Sequence, residues 1–304
     1  MATEKDLLLD TLSTDQYGVR SDRLHYATGE MLGADDFRAE QLYHRRQLAM
    51  ALRFLCGSGT LAGLKVAAVP GDPDEDDPAN LTDVKIQVNP GLAIDRVGRL
   101  VEVPVPVSLR LKKWFSYIID PEKTGEPHAA DRLAAVYHSP TKTVAADVFI
   151  KFYPCERGWT PTFATGPFDA LDASQPSRVR DAYELRLVLC KVTDFPEAYD
   201  PWGTVTDSAT KTEVQDAILA AWETLQPPKE GTGGFNEVPA ELEDPTAIRL
   251  ARLTVPVISA GAPATVEDLD WTVETWTQEP LSLVDNSIRN FIVPPALLRR
   301  LHNL

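Results

Sequence analysis

"ADDFRAEQLYHRRQLAMALRFLCGSGTLAGLKVAAV", residues 34–69, decides how the chain is read, because three glycines stand between a helix-like and a strand-like stretch. A glycine loop that cradles a phosphate follows a strand and opens a helix, since the free N–H groups of the first helical turn must point at the anion. Here the order is reversed. Asp35 and Asp36 stand where a first turn favours carboxylates, and Arg45, Arg46 and Arg53 load the half whose dipole favours cations. Phe37, Leu48, Leu52 and Leu55, with Gln41 and either His44 or Arg45, recur at helical spacing. Residues 35–56 are therefore expected as one long helix with an apolar face for a sheet. Gly57 suits its C-terminal cap, and Gly59 and Gly63 shape the turn into a strand over 60–69. No phosphate site is expected at these glycines.

Outward from that stretch, 304 residues with 43% hydrophobic content allow one large domain or two ordinary ones with a real core. No apolar run is long enough for a membrane-spanning helix, so no membrane insertion is expected. The opening "MATEKDLLLDTLSTDQ" lacks the basic start and extended apolar core of a signal peptide, which makes the cytoplasm the expected compartment. Cys56, Cys155 and Cys190 form no C-x-x-C pair and read as free thiols. A net charge of −15 argues against a surface that neutralises nucleic-acid phosphates.

The clearest β region is "DVKIQVNPGLAIDRVGRLVEVPVPVSLRL", residues 83–111. Val84, Ile86 and Val88 alternate with polar residues, "NPG" reads as a turn at Gly91, and Leu92 with Ile94 resumes the alternation. "DRVG" makes a second turn, with Asp95 as acceptor for backbone N–H groups and Gly98 at positive φ, before Leu100, Val101 and Val103. Two successive hairpins predict a small antiparallel sheet packed on the long helix. Pro104 and Pro106 exclude a central strand there. Further strands are expected at 145–154, 183–192 and "TAIRLARLTVPVIS", with an irregular excursion, "CERGWTPTFATGPFDALDASQPSRVRD", between the first two. A second helix is expected over about 210–225, with Val214, Ile218, Ala221, Trp222 and Leu225 on one face. The fold class that follows is α+β, mainly antiparallel sheet. The expected organisation is an N-terminal arm (1–25), a helix plus β-hairpin domain (26–111), and a β-rich domain with long loops and a C-terminal docking tail (112–304).

Chemistry is sparse. The acidic run "PGDPDEDDPAN" lacks the glycine and distal glutamate of a calcium-binding loop and reads as a solvated tip. None of the five histidines lies in a short metal-ligand pattern, and there is no G-x-S-x-G elbow. No catalytic residue, metal or cofactor is expected, and the chain is not expected to be an enzyme. What remains are surfaces. Trp159, Phe163 and Phe168 sit in the long excursion, where aromatics either anchor the loop or face a ligand. At the end, Phe291, Leu297, Leu298 and Leu301 are apolar, Arg299 and Arg300 are basic, and a helix this short needs a surface to cover.

Roughly residues 26–105, about a quarter of the chain, resemble proteins encoded with phage-tail-like contractile injection systems and some contractile phage tail proteins. The resemblance is carried by Asp36, Phe37, Glu40, Gln41 and Tyr43, then by Gly57, Gly59, Gly63, Leu64 and Val66. It continues through Pro90, Gly91, Ala93, Ile94, Asp95, Gly98 and Arg99, within about residues 26–105. "AIRLARLTVP" and "VDNSIRNFIVP" look like segments toward the C-terminal side of such proteins. The resemblance implies a structural subunit of such a particle, baseplate-associated or fibre-like, that meets other particle subunits and forms a homo-oligomer. It implies a cytoplasmic protein within a particle that is later released or acts at the cell envelope. The competing expectation, from the aromatic excursion, is a carbohydrate-binding or hydrolytic domain.

Overall fold

The computed structural model describes residues 23–71, 83–120, 129–161, 174–190, 205, 208–221, 246–272, 283–295, 297 and 298. Two three-stranded sheets, which together make the first, bent sheet, are built from three apolar stretches that each bend once. β1 (Gly59–Gly63) and β2 (Val66–Val69) form the first, β3 (Lys85–Val88) and β4 (Gly91–Ile94) the second, β5 (Leu100–Val103) and β6 (Val107–Arg110) the third. β4 lies between β1 and β5, and β3 lies between β2 and β6, all antiparallel. The register of the first two stretches runs through the bend without a break. Gly63 faces Gly91, the Leu64 N–H donates to the Pro90 carbonyl at 3.1 Å, the Asn89 N–H donates to the Lys65 carbonyl at 2.9 Å, and Val66 faces Val88.

"NPG" is therefore a kink inside one strand and not the hairpin turn expected of it. The same residues serve both purposes, since proline breaks the ladder and glycine lets the backbone swing. Only the pairing partners tell them apart. "DRVG" does reverse the chain, joining β4 to β5. Pro104 and Pro106 fall at the bend of an edge stretch, where a missing N–H costs least.

The second sheet is longer. β7 (Tyr137–His138), β8 (Thr143–Pro161), β9 (Ser174–Leu189), β10 (Ala247–Pro256) and β11 (Val284–Asp285) assemble in the order β11-β10-β8, with β7 and β9 on the other edge of β8. All its pairings are antiparallel. Leu64, Val66, Ile86, Val88 and Val101 of the bent sheet share one buried cluster with Val148, Ile150, Leu250 and Leu253 of the long sheet. α2 (Leu111–Ile118) joins the cluster through Leu111 and Phe115, both without solvent exposure, and α3 (Ala129–Val136) through Leu133 and Val136. The fold is α+β with mainly antiparallel sheet, as the periodicities predict.

The excursion between the two long strands is in part regular. Pairing of β8 with β9 runs from Ala146–Leu189 out to Pro161–Ser174, while β10 stops at the level of Lys151. Residues 153–161 and 174–182 thus form a two-stranded ribbon that extends past the sheet. Residues 162–173 lie outside the described residues. The ribbon escapes sequence reading because both its faces meet water, which leaves no alternation to detect.

α1 (Ala34–Cys56) matches the expected helix, and the Gly57 N–H donates to the Arg53 carbonyl at 3.0 Å at its end. Its orientation is the surprise. The side that meets the body carries Leu42, Ala49 and Arg53, with Ala49 packed on Val97 of the "DRVG" turn. Phe37, Leu48 and Leu55, expected on the buried face, are 51%, 54% and 84% exposed. The turn enforces this arrangement. Gly98 has φ +96°, and a Cβ there would stand 1.9 Å from the Ala49 carbonyl oxygen, so the helix backbone rests on a residue with no side chain. α4 (Lys211–Ala220) begins with Thr210 and Glu213 capping each other, and expected helix residues 222–225 lie outside the described residues. No helix among the described residues is long and apolar enough to cross a membrane.

Replacing Gly98 by Val combines a positive φ with this clash. The backbone strain alone costs about 1–3 kcal/mol. We expect a lower melting temperature together with faster amide exchange across α1. Unchanged exchange in α1 would mean that the helix is not seated on the turn.

Candidate assembly site

Phe37 and Gln41 of the resemblance stand exposed on α1, but Gly59, Leu64, Val66, Asp95, Gly98 and Arg99 lie at one junction, where α1, the bent sheet, the long sheet and the chain end meet. Asp95 lies at its centre with no solvent exposure. Its Oδ1 accepts the Val97 and Arg99 N–H groups at 3.0 and 2.8 Å, and its Oδ2 accepts Nε of Arg99 at 2.8 Å. Burial pushes the Asp95 carboxyl above its ordinary range, and the Arg99 charge and these donors pull it back. The Arg99 guanidinium in turn lies 4.7 Å from the centre of the Phe152 ring, at the root of the ribbon. The acceptor role expected of Asp95 is the one it has, with an ion pair in addition.

A second buried carboxylate was not visible from sequence. Asp147 on β8, also without exposure, takes Nε of Arg252 at 2.7 Å and its Nη2 at 3.0 Å, with Nη1 of Arg249 at 3.7 Å. Arginines three apart on a strand point to opposite faces. A β-bulge between Arg249 and Ala251 slips the register by one residue and brings both to the same carboxylate. "AADVF" offers a hint only in hindsight, a lone acid among apolar residues.

The chain end is woven through this junction. β11 pairs with β10, and then Asn286 acts like a strand residue toward Val66, its Oδ1 accepting the Val66 N–H and its Nδ2 donating to the Val66 carbonyl, each at 3.0 Å. Arg289 donates through Nη1 to the Leu64 carbonyl at 2.7 Å and through Nη2 to Asn286 Oδ1. Burial lowers the Arg289 pKa to about 10. The Thr60 N–H donates to the Asn290 carbonyl at 2.8 Å and the Ile292 N–H to the Thr60 carbonyl at 2.9 Å. Gly59, at φ +139°, makes room for this crossing, since a Cβ there would meet the Asn290 oxygen at 2.5 Å. Residues 284–292 thus bind the first strand to the long sheet, which the tail's composition did not suggest.

The expected contact residues separate. Trp159 is 59% exposed on the ribbon, Phe291 is 58% exposed within the woven segment, and Leu297 and Leu298 are 47% and 46% exposed beyond it. Phe163, Phe168, Arg299, Arg300 and Leu301 lie outside the described residues or their described side chains. The structure thus places Trp159 and Phe291 on different elements, the ribbon and the woven end. Cys56, Cys155 and Cys190 are in no disulfide, the first two exposed and the third buried. A narrow recess lined by Ser58, Arg96, Phe149, Arg249 and Asn290 opens beside the junction, and both its arginines already have partners. Among the described residues, no group of three or more His, Cys, Asp or Glu side chains is arranged to hold a metal ion.

Two results test this junction. Changing Asp95 to Ala strands a buried guanidinium, and losing one partner of a buried pair costs about 3–5 kcal/mol. A urea midpoint near that of the parent chain would refute the pair's role. Ending the chain after Val293 should leave the melting temperature nearly unchanged, whereas ending it after Leu283 should lower it sharply. Equal melting temperatures for the two truncations would show that residues 284–292 do not hold the sheets together. Comparison with protein-family models and with curated proteins found no match.

Proposed function

We propose that the chain is a structural subunit of a phage-tail-like contractile injection particle, baseplate-associated or fibre-like, and acts by contact with other subunits and with copies of itself. The observation that carries this reading is the outward apolar face of α1. Phe37, Leu48 and Leu55 stand exposed along one long helix whose opposite side is fixed to a closed turn. A monomer with no partner gains nothing from displaying such a stripe and loses solubility by it. The residues behind the resemblance fit the same account. Gly59, Gly98, Asp95 and Arg99 hold backbones together and present no reactive group to solvent.

The test is localisation. Sheathed particles isolated from the producing cell should contain the chain at fixed stoichiometry, with density for it by electron cryomicroscopy. Its absence from every assembled particle would overturn the reading.

A carbohydrate-binding role is the second reading, supported by Trp159 and Tyr153, which are 59% and 55% exposed on the ribbon. It requires saturable binding to a glycan or cell-wall fragment that disappears in Trp159→Ala while the circular dichroism spectrum is kept. A glycan array with no signal at millimolar ligand would remove it.

A further inference from the structure

Along α1 the outward side has a finer pattern than a stripe. Phe37, Gln41, His44, Leu48, Ala51 and Leu55 follow one another by alternating steps of four and three, and every one of them is exposed. That alternation is the heptad seam of a two-stranded coil, with Gln41, Leu48 and Leu55 at a positions and Phe37, His44 and Ala51 at d positions. The residues on the body side, Leu42, Arg46, Ala49 and Arg53, are half-buried or buried. At 3.6 residues per turn they lie roughly 150° around the helix from the seam. The seam is therefore open along its whole length while the opposite side is anchored.

We propose that α1 pairs in parallel and in register with α1 of a second copy of this chain, across a twofold axis along the seam. This deepens, and for its purpose rests on, the reading of the chain as an assembly subunit. Charge selects the occupant and the direction. In a parallel pair, a residue at g meets the e residue five positions later on the other helix. Glu40 stands at g and Arg45 at e, five positions apart, so the twofold axis creates two Glu40–Arg45 pairs. The Tyr26 hydroxyl, donating to Glu40 Oε2 at 2.5 Å, already holds that carboxylate in place. An antiparallel pair centred on the seam sets e against e and brings Arg45 to Arg45 with no acid between them.

The polar seam residues agree. Gln41 and His44 each meet their own copy on the axis. An amide has both donor and acceptor, as does a neutral imidazole, so each layer is self-complementary in register and unsatisfied when slipped. A polar a residue of this kind fixes register at some loss of affinity. The pairing also avoids the usual cost of a short coil, because α1 is folded on its own body before it meets a partner. The bodies lie on the far side of each helix, which keeps two chains of charge −15 apart.

The experiment uses the full chain with both exposed thiols removed, Cys56→Ser and Cys155→Ser. Light scattering should give twice the 33.5 kDa chain mass at tens of micromolar. Leu48→Glu should give a monomer with an unchanged melting temperature, since that side chain is exposed. Leu48→Cys should form an intermolecular disulfide on oxidation, as a parallel, in-register seam demands. Glu40→Arg and Arg45→Glu should each weaken the dimer by roughly threefold to tenfold, and the double exchange should restore it. A monomeric parent chain, a dimer indifferent to Leu48→Glu, or a dimer in which Leu48→Cys does not crosslink would overturn the pairing. The particle test is separate. A chain carrying Leu48→Glu that still enters sheathed particles leaves the assembly reading intact and assigns the contact elsewhere. A seam-paired dimer absent from particles keeps the pairing and removes the particle.

Discussion

The Asp95 carboxylate, sealed from solvent and held by three donors from residues 97 and 99, is the constraint on which the rest depends. Unpaired, a charge at this depth would be too costly to keep. Closed by the Arg99 guanidinium and two backbone N–H groups, it becomes a rigid tip with a fixed outline. One side of that tip is Gly98, flat enough for the α1 backbone to lie on. Another is the Arg99 guanidinium, which stacks on Phe152 and fixes where the ribbon leaves the long sheet. Four residues thus set the position of the helix against one sheet and of the ribbon against the other.

The same junction explains why the chain end returns to the beginning. The bend at Gly63 and Leu64 opens backbone groups that the sheet itself cannot satisfy, and buried amides seldom go unpaired. Arg289 takes the Leu64 carbonyl, and Asn286 takes both backbone groups of Val66. A side chain that imitates a strand lets a short irregular segment do what a full strand would do, without another edge that could aggregate. The two buried acids, Asp95 and Asp147, each face arginine, so neither carboxylate is left uncompensated in the interior.

What the sequence reveals is what local periodicity encodes. The extent of α1, the reversal at "DRVG" and the strands around Val148 and Leu250 all follow from spacing and turn chemistry. What it conceals depends on partners far along the chain. "NPG" has the composition of a turn whether the next strand folds back or runs on. Arg249 and Arg252 look opposed until a bulge aligns them. The face of α1 is the most instructive case. Its docked side carries Arg53 and Arg46 beside Leu42 and Ala49, and arginine stems cover apolar surface while their heads find polar partners. A hydropathy count assigns that side to water and the leucine side to the core. A glycine at one tip reverses the assignment.

That reversal has a consequence for how the molecule meets others. A helix normally spends its apolar side on its own core and has only a polar side to offer. α1 is held through a few small or charged residues, so the cost of fixing its backbone is met within the monomer, and its apolar side remains available at full length. A preformed helix binds with less entropy loss than a segment that must fold on contact. The contact area of that side is long and narrow, and its polar layers at Gln41 and His44 trade strength for register. Strength then has to come from proximity, since a twofold seam closes on two copies and gains most where those copies are already held near each other. A seam between dilute chains and the same seam between chains held side by side are the same chemistry at different effective concentrations.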